Sequence, residues 1–297
     1  MTNHGKVDLH IHSNLSLDGE YSPETVVSMA KASGVVLMAI ADHNSTGGVG
    51  AAVVAGKQQD VTVVPAIELD CIYQGIDLHL LGYGIDYKDR SYAILEREID
   101  HNVRAIFSET LEKLTRIGIE VDPDRVLAAS DGKPPCGELI AEVLLAYDDT
   151  RRNPVLAPYL PGGERGDMPH INFYRDFCAQ GKPAYVPIPF MSLEEAVALV
   201  KRTGGTPVIA HPAVNLHADF HVVDQLLHLG VEGIEVYTSY HSPEQAAFFR
   251  EKALRHDVRM TCGSDFHGKN KPLIQIGDCA SGEDEERIKE QMQAYAA

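Results

Sequence analysis

The chain has 297 residues, enough for a well-buried core or for one large α/β barrel carrying an insertion. Its 43 acidic and 26 basic side chains leave a formal net charge of -17, which argues against non-specific binding of duplex nucleic acid. No apolar run approaches the roughly 20 residues that span a bilayer, and the start, Met-Thr-Asn-His-Gly-Lys, lacks a signal-peptide apolar region, so a cytoplasmic location off the membrane is expected.

Residues 6–12 read as a first strand. Ser22-Pro23-Glu24 then opens a helix, with Ser as N-cap and Pro at the first helical position. Residues 35–41 form a continuous apolar run, the pattern of a buried parallel strand. A helix is expected from about Gly48, a third strand over 61–69, and a fourth over 77–83, antiparallel to the third across a turn containing Gly75. From about 88 to 190 the pattern turns mainly helical, beginning with a long amphipathic stretch over 91–117 and continuing through Gly- and Pro-rich loops. The alternation then resumes: helix 192–203, strand 206–210, helix 219–229, strand 231–237, a helix capped by Ser242-Pro243-Glu244, and strand 259–263. Such alternation implies a parallel barrel or sheet, with function at the C-terminal strand ends. The domains expected are 1–87 with 191–297, and an inserted helical unit over 88–190. The five cysteines are scattered and form no CxxC pair, so neither a disulfide framework nor a zinc finger is indicated.

Those strand ends are where the ligand-type residues fall. The first reads Asp8-Leu9-His10-Ile11-His12-Ser13, and alternate residues on a strand share a face, so His10 and His12 converge. A short loop adds Asp18. The second strand ends in Asp42-His43-Asn44, the third places Glu68 between Ile67 and Leu69, and the fourth carries His79. After the insertion come His211-Pro212 and Ser264-Asp265-Phe266-His267. Imidazole mixed with carboxylate and no thiolate suits divalent manganese, zinc or iron. One ion needs only about four protein ligands. His10, His12, Asp18, His43, Glu68, His79, His211, Asp265 and His267 therefore suffice for two or three ions. Bound divalent cations would also reverse the local field and admit a small anion to this acidic protein. Paired ions typically activate water and clamp phosphoryl oxygens.

With these motifs the chain resembles the PHP (polymerase and histidinol phosphatase) family, over about residues 5–87 and 190–275. The resemblance implies a distorted seven-stranded (βα) barrel with a three-metal site, manganese first, zinc or iron as alternatives. It also implies that His10, His12, Glu68 and Asp265 hold one ion, that Glu68 bridges to a second completed by His79 and His211, and that Asp18, His43 and His267 hold a third. Asp42 is expected to support them. Asp18, His43, Glu68, Asp265 and His267 would be the residues closest to catalysis. A long helical insertion between the His79 and His211 strands is similar to phosphoesterases that include 3',5'-nucleotide bisphosphate phosphatases and cyclic ribose-phosphate phosphodiesterases. Nucleotide-acting members tend to carry an Arg-x-His-Phe-Ala-like segment there. Here the corresponding stretch is Pro134-Pro135-Cys136-Gly137-Glu138-Leu139-Ile140, without Arg or His, and a displaced Met168-Pro169-His170 follows.

The expected activity is hydrolysis of a phosphate ester of a small phosphorylated ribose or nucleotide, cyclic diester or terminal monoester, by a metal-bridged hydroxide. Exonuclease action on short oligonucleotides and a non-catalytic metal-binding module are the alternatives. Substrate contacts are expected from Asn102 and Arg104 on the long helix, His241 after a strand, and Lys269 and Lys271 behind the last motif. The sequence leaves the oligomeric state open.

Overall fold

The structure, a computed structural model, describes residues 5–147, 152–216 and 219–296. Its first half alternates β1 (Lys6–Ile11), α1 (Pro23–Ala32), β2 (Val35–Ile40), α2 (Val49–Gln59), β3 (Thr62–Val63), β4 (Ala66–Tyr73) and β5 (Ile76–Tyr83). Helices follow: α3 (Arg90–Arg116), α4 (Pro123–Ala129), α5 (Gly137–Ala146) and the short α6 (Pro169–Phe173), which runs into a π-type turn over Tyr174–Cys178. The alternation returns with β6 (Met191–Ser192), α7 (Leu193–Arg202), β7 (Thr206–Ile209), α8 (Pro212–Asn215), α9 (Val222–His228), β8 (Gly233–Thr238), α10 (Pro243–Arg255), β9 (Arg259–Gly263) and α11 (Glu285–Gln293).

The helix starts follow their capping residues. Ser22 accepts the Thr25 amide ahead of Pro23, and Ser192 and Ser242 close reciprocal capping boxes with Glu195 and Gln245. The hairpin between β4 and β5 turns on Gln74 and Gly75, both at positive φ, as a two-residue turn matched to strand twist requires.

The fold is α/β with two sheets. A parallel sheet runs β1-β2-β3, and a mixed one runs β6-β4-β5-β7-β8-β9, with β5 antiparallel to both β4 and β7. Seven of these strands have four residues or more. The sheets meet at two places: Ile11 bridges Phe266, and His43 bridges Glu68. The expected strand over 61–69 is in fact two. Pro65, which has no amide hydrogen to offer a ladder, separates β3 in the first sheet from β4 in the second.

A core of Leu9, Leu37, Ile67, Leu80, Val208 and Ile234, among others, fills the space between the sheets and the helices around them. The segment between β5 and β6 has a separate cluster, built on Phe107, Leu114, Ile140, Leu144, Leu156 and Phe173. All five cysteines are free, and no helix among the described residues is long and apolar enough to cross a membrane.

Candidate metal centre

Each strand end delivers its polar residues to one place. Alternation along β1 puts His10 and its neighbour His12 on one side, with Nε2 atoms 3.1 Å apart. Glu68, in the middle of the apolar β4, lies fully buried between five imidazoles. Its Oε2 is 3.1 Å from His10, 3.2 Å from His12 and 3.3 Å from His43; its Oε1 is 3.0 Å from His79 and 3.1 Å from His211. Asp265 Oδ1 lies 3.1 Å from His12 and 3.4 Å from His267, while Asp18 Oδ2 comes from its loop to 3.1 Å from His267. The structure thus gathers all nine residues that the sequence singled out.

These atoms fall into overlapping groups, each tight enough to surround a cation. They are His10, His12, Glu68 and Asp265; Glu68, His79 and His211; His12, Asp18, His43 and His267; and His43, Asp70 and His79. A divalent ion fits this donor set. Asp18 Oδ1, Glu68 Oε2, Asp70 Oδ1, Asp265 Oδ1 and His267 Nε2 are all buried without a hydrogen-bond partner, a costly state that a bound cation would relieve.

The electrostatics point the same way. Burial pushes the Glu68 carboxyl up, but His10, His43 and His79 outweigh it and hold the group well below the usual carboxylate range. Burial likewise opposes ionisation of Asp265, and Lys271, His267 and His10 overcome it. Burial draws the His12 imidazole down to about 4, helped by His267, so it is neutral at physiological pH and has a lone pair to offer. His10 and His43 behave oppositely: nearby carboxylates outweigh burial and keep them protonated, so loading cations must displace protons there.

Several supports come from residues that the sequence reading passed over. Glu235 on β8 lies 3.0 Å from His10 Nδ1, and its other oxygen accepts the His211 amide at 2.7 Å. Gly263 makes room for this pair, because a Cβ there would sit 2.1 Å from the His10 Cβ and 2.6 Å from Glu235 Oε1. Ser16 Oγ lies 2.9 Å from His12 Nδ1 and accepts the His43 amide. Asp70 lies 3.2 Å from His43 and 3.4 Å from His79, and Asn44 clamps it through two hydrogen bonds. Asn44, His211 and Asp265 have left-handed φ values of 54°, 22° and 57°, strain of the kind that packing sustains at functional sites. The missed carboxylates did leave a signal. Glu235 interrupts an apolar strand as Glu68 does, and Asp70 shares the Glu68 face two residues on.

Asp42 does not touch a ligand-type imidazole nitrogen. It accepts the Ser13 amide and hydroxyl at 2.6 and 2.7 Å, fixing the loop that carries Ser16. A cavity of about 240 Å³ opens over Asp18, His43, Asp70 and His79 and is roofed by α3 and α5. Four expected substrate contacts lie outside its lining. Asn102 and Arg104 sit about 100° either side of Val103, one of the α3 residues that face the cavity. Asn102 donates to the Pro189 carbonyl, and Arg104 is exposed and bonds the Gly132 carbonyl. His241 packs on Phe249 with its Nδ1 on the Val236 carbonyl. Lys269 reaches out to Glu142. Lys271 does line the cavity, buried, with its ammonium 2.6 Å from Asp265 Oδ2.

Comparison with known proteins gives the chain its family. The model of the PHP domain matches residues 8–151. A 3',5'-nucleoside bisphosphate phosphatase of Chromobacterium violaceum is 28% identical, covering 91% of this chain and 90% of its own. A phosphoribosyl 1,2-cyclic phosphate 1,2-diphosphodiesterase of Eggerthella lenta is 30% identical over 91% of this chain and 97% of its own. A 5'-3' exoribonuclease of Haemophilus influenzae is 27% identical over 91% and 95%. Among solved structures, an amidohydrolase of Chromobacterium violaceum with bound sulfate superposes with a TM-score of 0.80 at 25% identity, covering 98% of this chain and 97% of that one. The chain belongs to the PHP family of metal-dependent phosphoesterases.

Proposed function

We propose that this metal-dependent phosphoesterase hydrolyses esters of a small phosphorylated ribose or nucleotide at a centre of two or three divalent ions. Manganese is the first choice of ion and zinc or iron the alternatives. The observation that carries the reading is Glu68, a buried carboxylate whose two oxygens face different imidazoles, His10, His12 and His43 on Oε2 and His79 and His211 on Oε1, all at 3.0 to 3.3 Å, an arrangement suited to bridging. Divalent ions held here would supply Lewis acidity toward phosphoryl oxygens and lower the pKa of a water.

The chain's own residues orient and neutralise. Glu235 fixes the His10 ring and Ser16 the His12 ring, and supports of this kind hold ligands to one geometry. Lys271 and the Tyr240 hydroxyl both donate to Asp265 Oδ2, leaving Oδ1 for the centre. We read the seven longer strands as the barrel of the fold. We read residues 88–190 as an inserted unit that recognises substrate, since its α3 and α5 roof the cavity. Relatives that include a nucleoside bisphosphate phosphatase and a cyclic ribose-phosphate diphosphodiesterase support a substrate of the phosphorylated ribose or nucleotide class. Trimming of short oligonucleotides is the second reading, supported by the exoribonuclease relative.

The test combines metal analysis with turnover. Protein purified without chelator and reconstituted with manganese should hold at least two ions per chain and release phosphate from a panel of phosphate esters. A reproducible stoichiometry of one ion or less overturns the multinuclear centre. Release of mononucleotides from oligoribonucleotides, without turnover of small esters, favours the second reading.

A further inference from the structure

Resting on that reading, we infer that the cavity holds the alcohol portion of an ester with a single phosphate, uncharged and partly apolar, and discriminates against a second phosphate. The cavity begins at the metal centre, so whatever lies beyond the reacting phosphorus must occupy it. Its roof is apolar: Ile99, Val103 and Phe107 from α3, Ile140 from α5 and Ile171 from α6. The remaining polar wall carries the carboxylates Asp77, Glu96, Asp100 and Glu138, and most of its donors are already committed: Ser45 to Glu96, Tyr185 to Asp77, Asn44 to Asp70 and Thr110 to the Ile106 carbonyl. Among the described lining residues Lys271 is the one lysine or arginine, and its ammonium is held by Asp265; the lining imidazoles, His43 and His79, belong to the metal centre.

A terminal phosphate carries close to two negative charges at neutral pH and, once desolvated, needs cations or donors. This wall offers carboxylates, hydrocarbon and donors that are mostly committed to protein partners. Carboxylates accept hydrogen bonds and do not donate them, so they suit the hydroxyls of a sugar or polyol. The apolar roof suits a hydrocarbon or a base. Pro135, Cys136, Gly137 and Glu138, at the start of α5, enter the wall without a basic side chain. Arg104, which could have gripped a distal phosphate, points away and bonds the Gly132 carbonyl.

The test is a matched pair on the manganese-loaded full chain: adenosine 5'-monophosphate against adenosine 3',5'-bisphosphate. The monophosphate should have the higher kcat/KM by about tenfold, the scale of one unmet charged contact. Calorimetry provides a readout independent of turnover. Benzylphosphonate, which is not hydrolysed, should bind more tightly than the bisphosphate. Two variants extend the test. Asp100→Arg should narrow the gap between mono- and bisphosphate, and Phe107→Ala should weaken benzylphosphonate binding. A bisphosphate that is turned over faster or bound more tightly than its single-phosphate counterpart overturns the inference while leaving the phosphoesterase reading intact. If neither nucleotide is hydrolysed, the calorimetric order decides the inference. Turnover of p-nitrophenyl phosphate separately decides whether the protein is a phosphoesterase at all.

Discussion

The metal centre and the cavity wall above it are built on opposite principles. In the centre polar side chains crowd one another: Glu68 alone is shared by five imidazoles, and Glu235, Ser16 and Asn44 hold the residues around it. Across the cavity, the residues from α3 and α5 present mostly apolar side chains, with few polar bonds tying them to the centre. Chemistry common to a family requires the first kind of construction, because a misplaced ligand loses the ion. Recognition tolerates the second, since a helical wall can exchange side chains without disturbing the strand ends beneath it.

The largest effect should come from breaking the centre at its shared point. Glu68→Ala should lower kcat roughly a thousandfold, beyond the ten- to hundredfold typical of losing a residue that only supports a metal ligand. Asp18→Ala, which removes a loop residue serving one side, should cost less at saturating manganese. Equal losses in the two variants, measured with metal content, would contradict the bridging role of Glu68.

Glu138 tests the boundary between the two regions. It is buried, and burial, followed by the nearby Asp18, lifts its carboxyl from the ordinary 4.5 to about 7. A raised carboxyl binds its proton more tightly in the folded state. Its contribution is therefore most favourable below about pH 4.5 and is lost as pH rises to 7. Glu138→Gln should melt at a similar temperature near pH 4 in metal-free protein. At pH 8 it should be more stable than the parent, by about 2–3 kcal/mol. Melting curves that shift equally at both pH values would rule this out.

A smaller change is expected at Asn44, which clamps Asp70 without itself belonging to the ligand-type set. Asn44→Ala should weaken manganese affinity by about tenfold, the low end for a residue that orients a ligand. Competition with a calibrated chelator measures it, and unchanged affinity would remove Asp70 from the centre. Arg104→Ala should have the least effect, within about 0.5 kcal/mol in stability and with kcat/KM unaltered on mono- and bisphosphates alike, as for an exposed surface side chain. A selective loss on the bisphosphate would return Arg104 to the substrate site.

Much of this architecture was written locally. The caps at Ser22, Ser192 and Ser242, the Gln74-Gly75 turn and the long α3 follow from residue types within a few positions of one another. The nine ligand-type residues were legible because strand ends in such folds share one face, so type and periodicity were enough to collect them. Pro65 was the local signal that should have divided the third strand.

What only the tertiary structure decided is which side chains meet across distance. His10 and Glu235 are 225 positions apart, and Lys133 bonds the carbonyl of Asn14 from 119 positions away. The same holds for direction. Arg104 and Val103 are neighbours in the chain, but a helix turns about 100° per residue, and the packing of α3 over the strand ends selects which of them meets the cavity. Sequence determined the inventory of ligand-type residues and the elements that carry them. Packing determined the company each side chain keeps, because burial, charge and the contents of a cavity wall depend on surfaces brought together from remote parts of the chain.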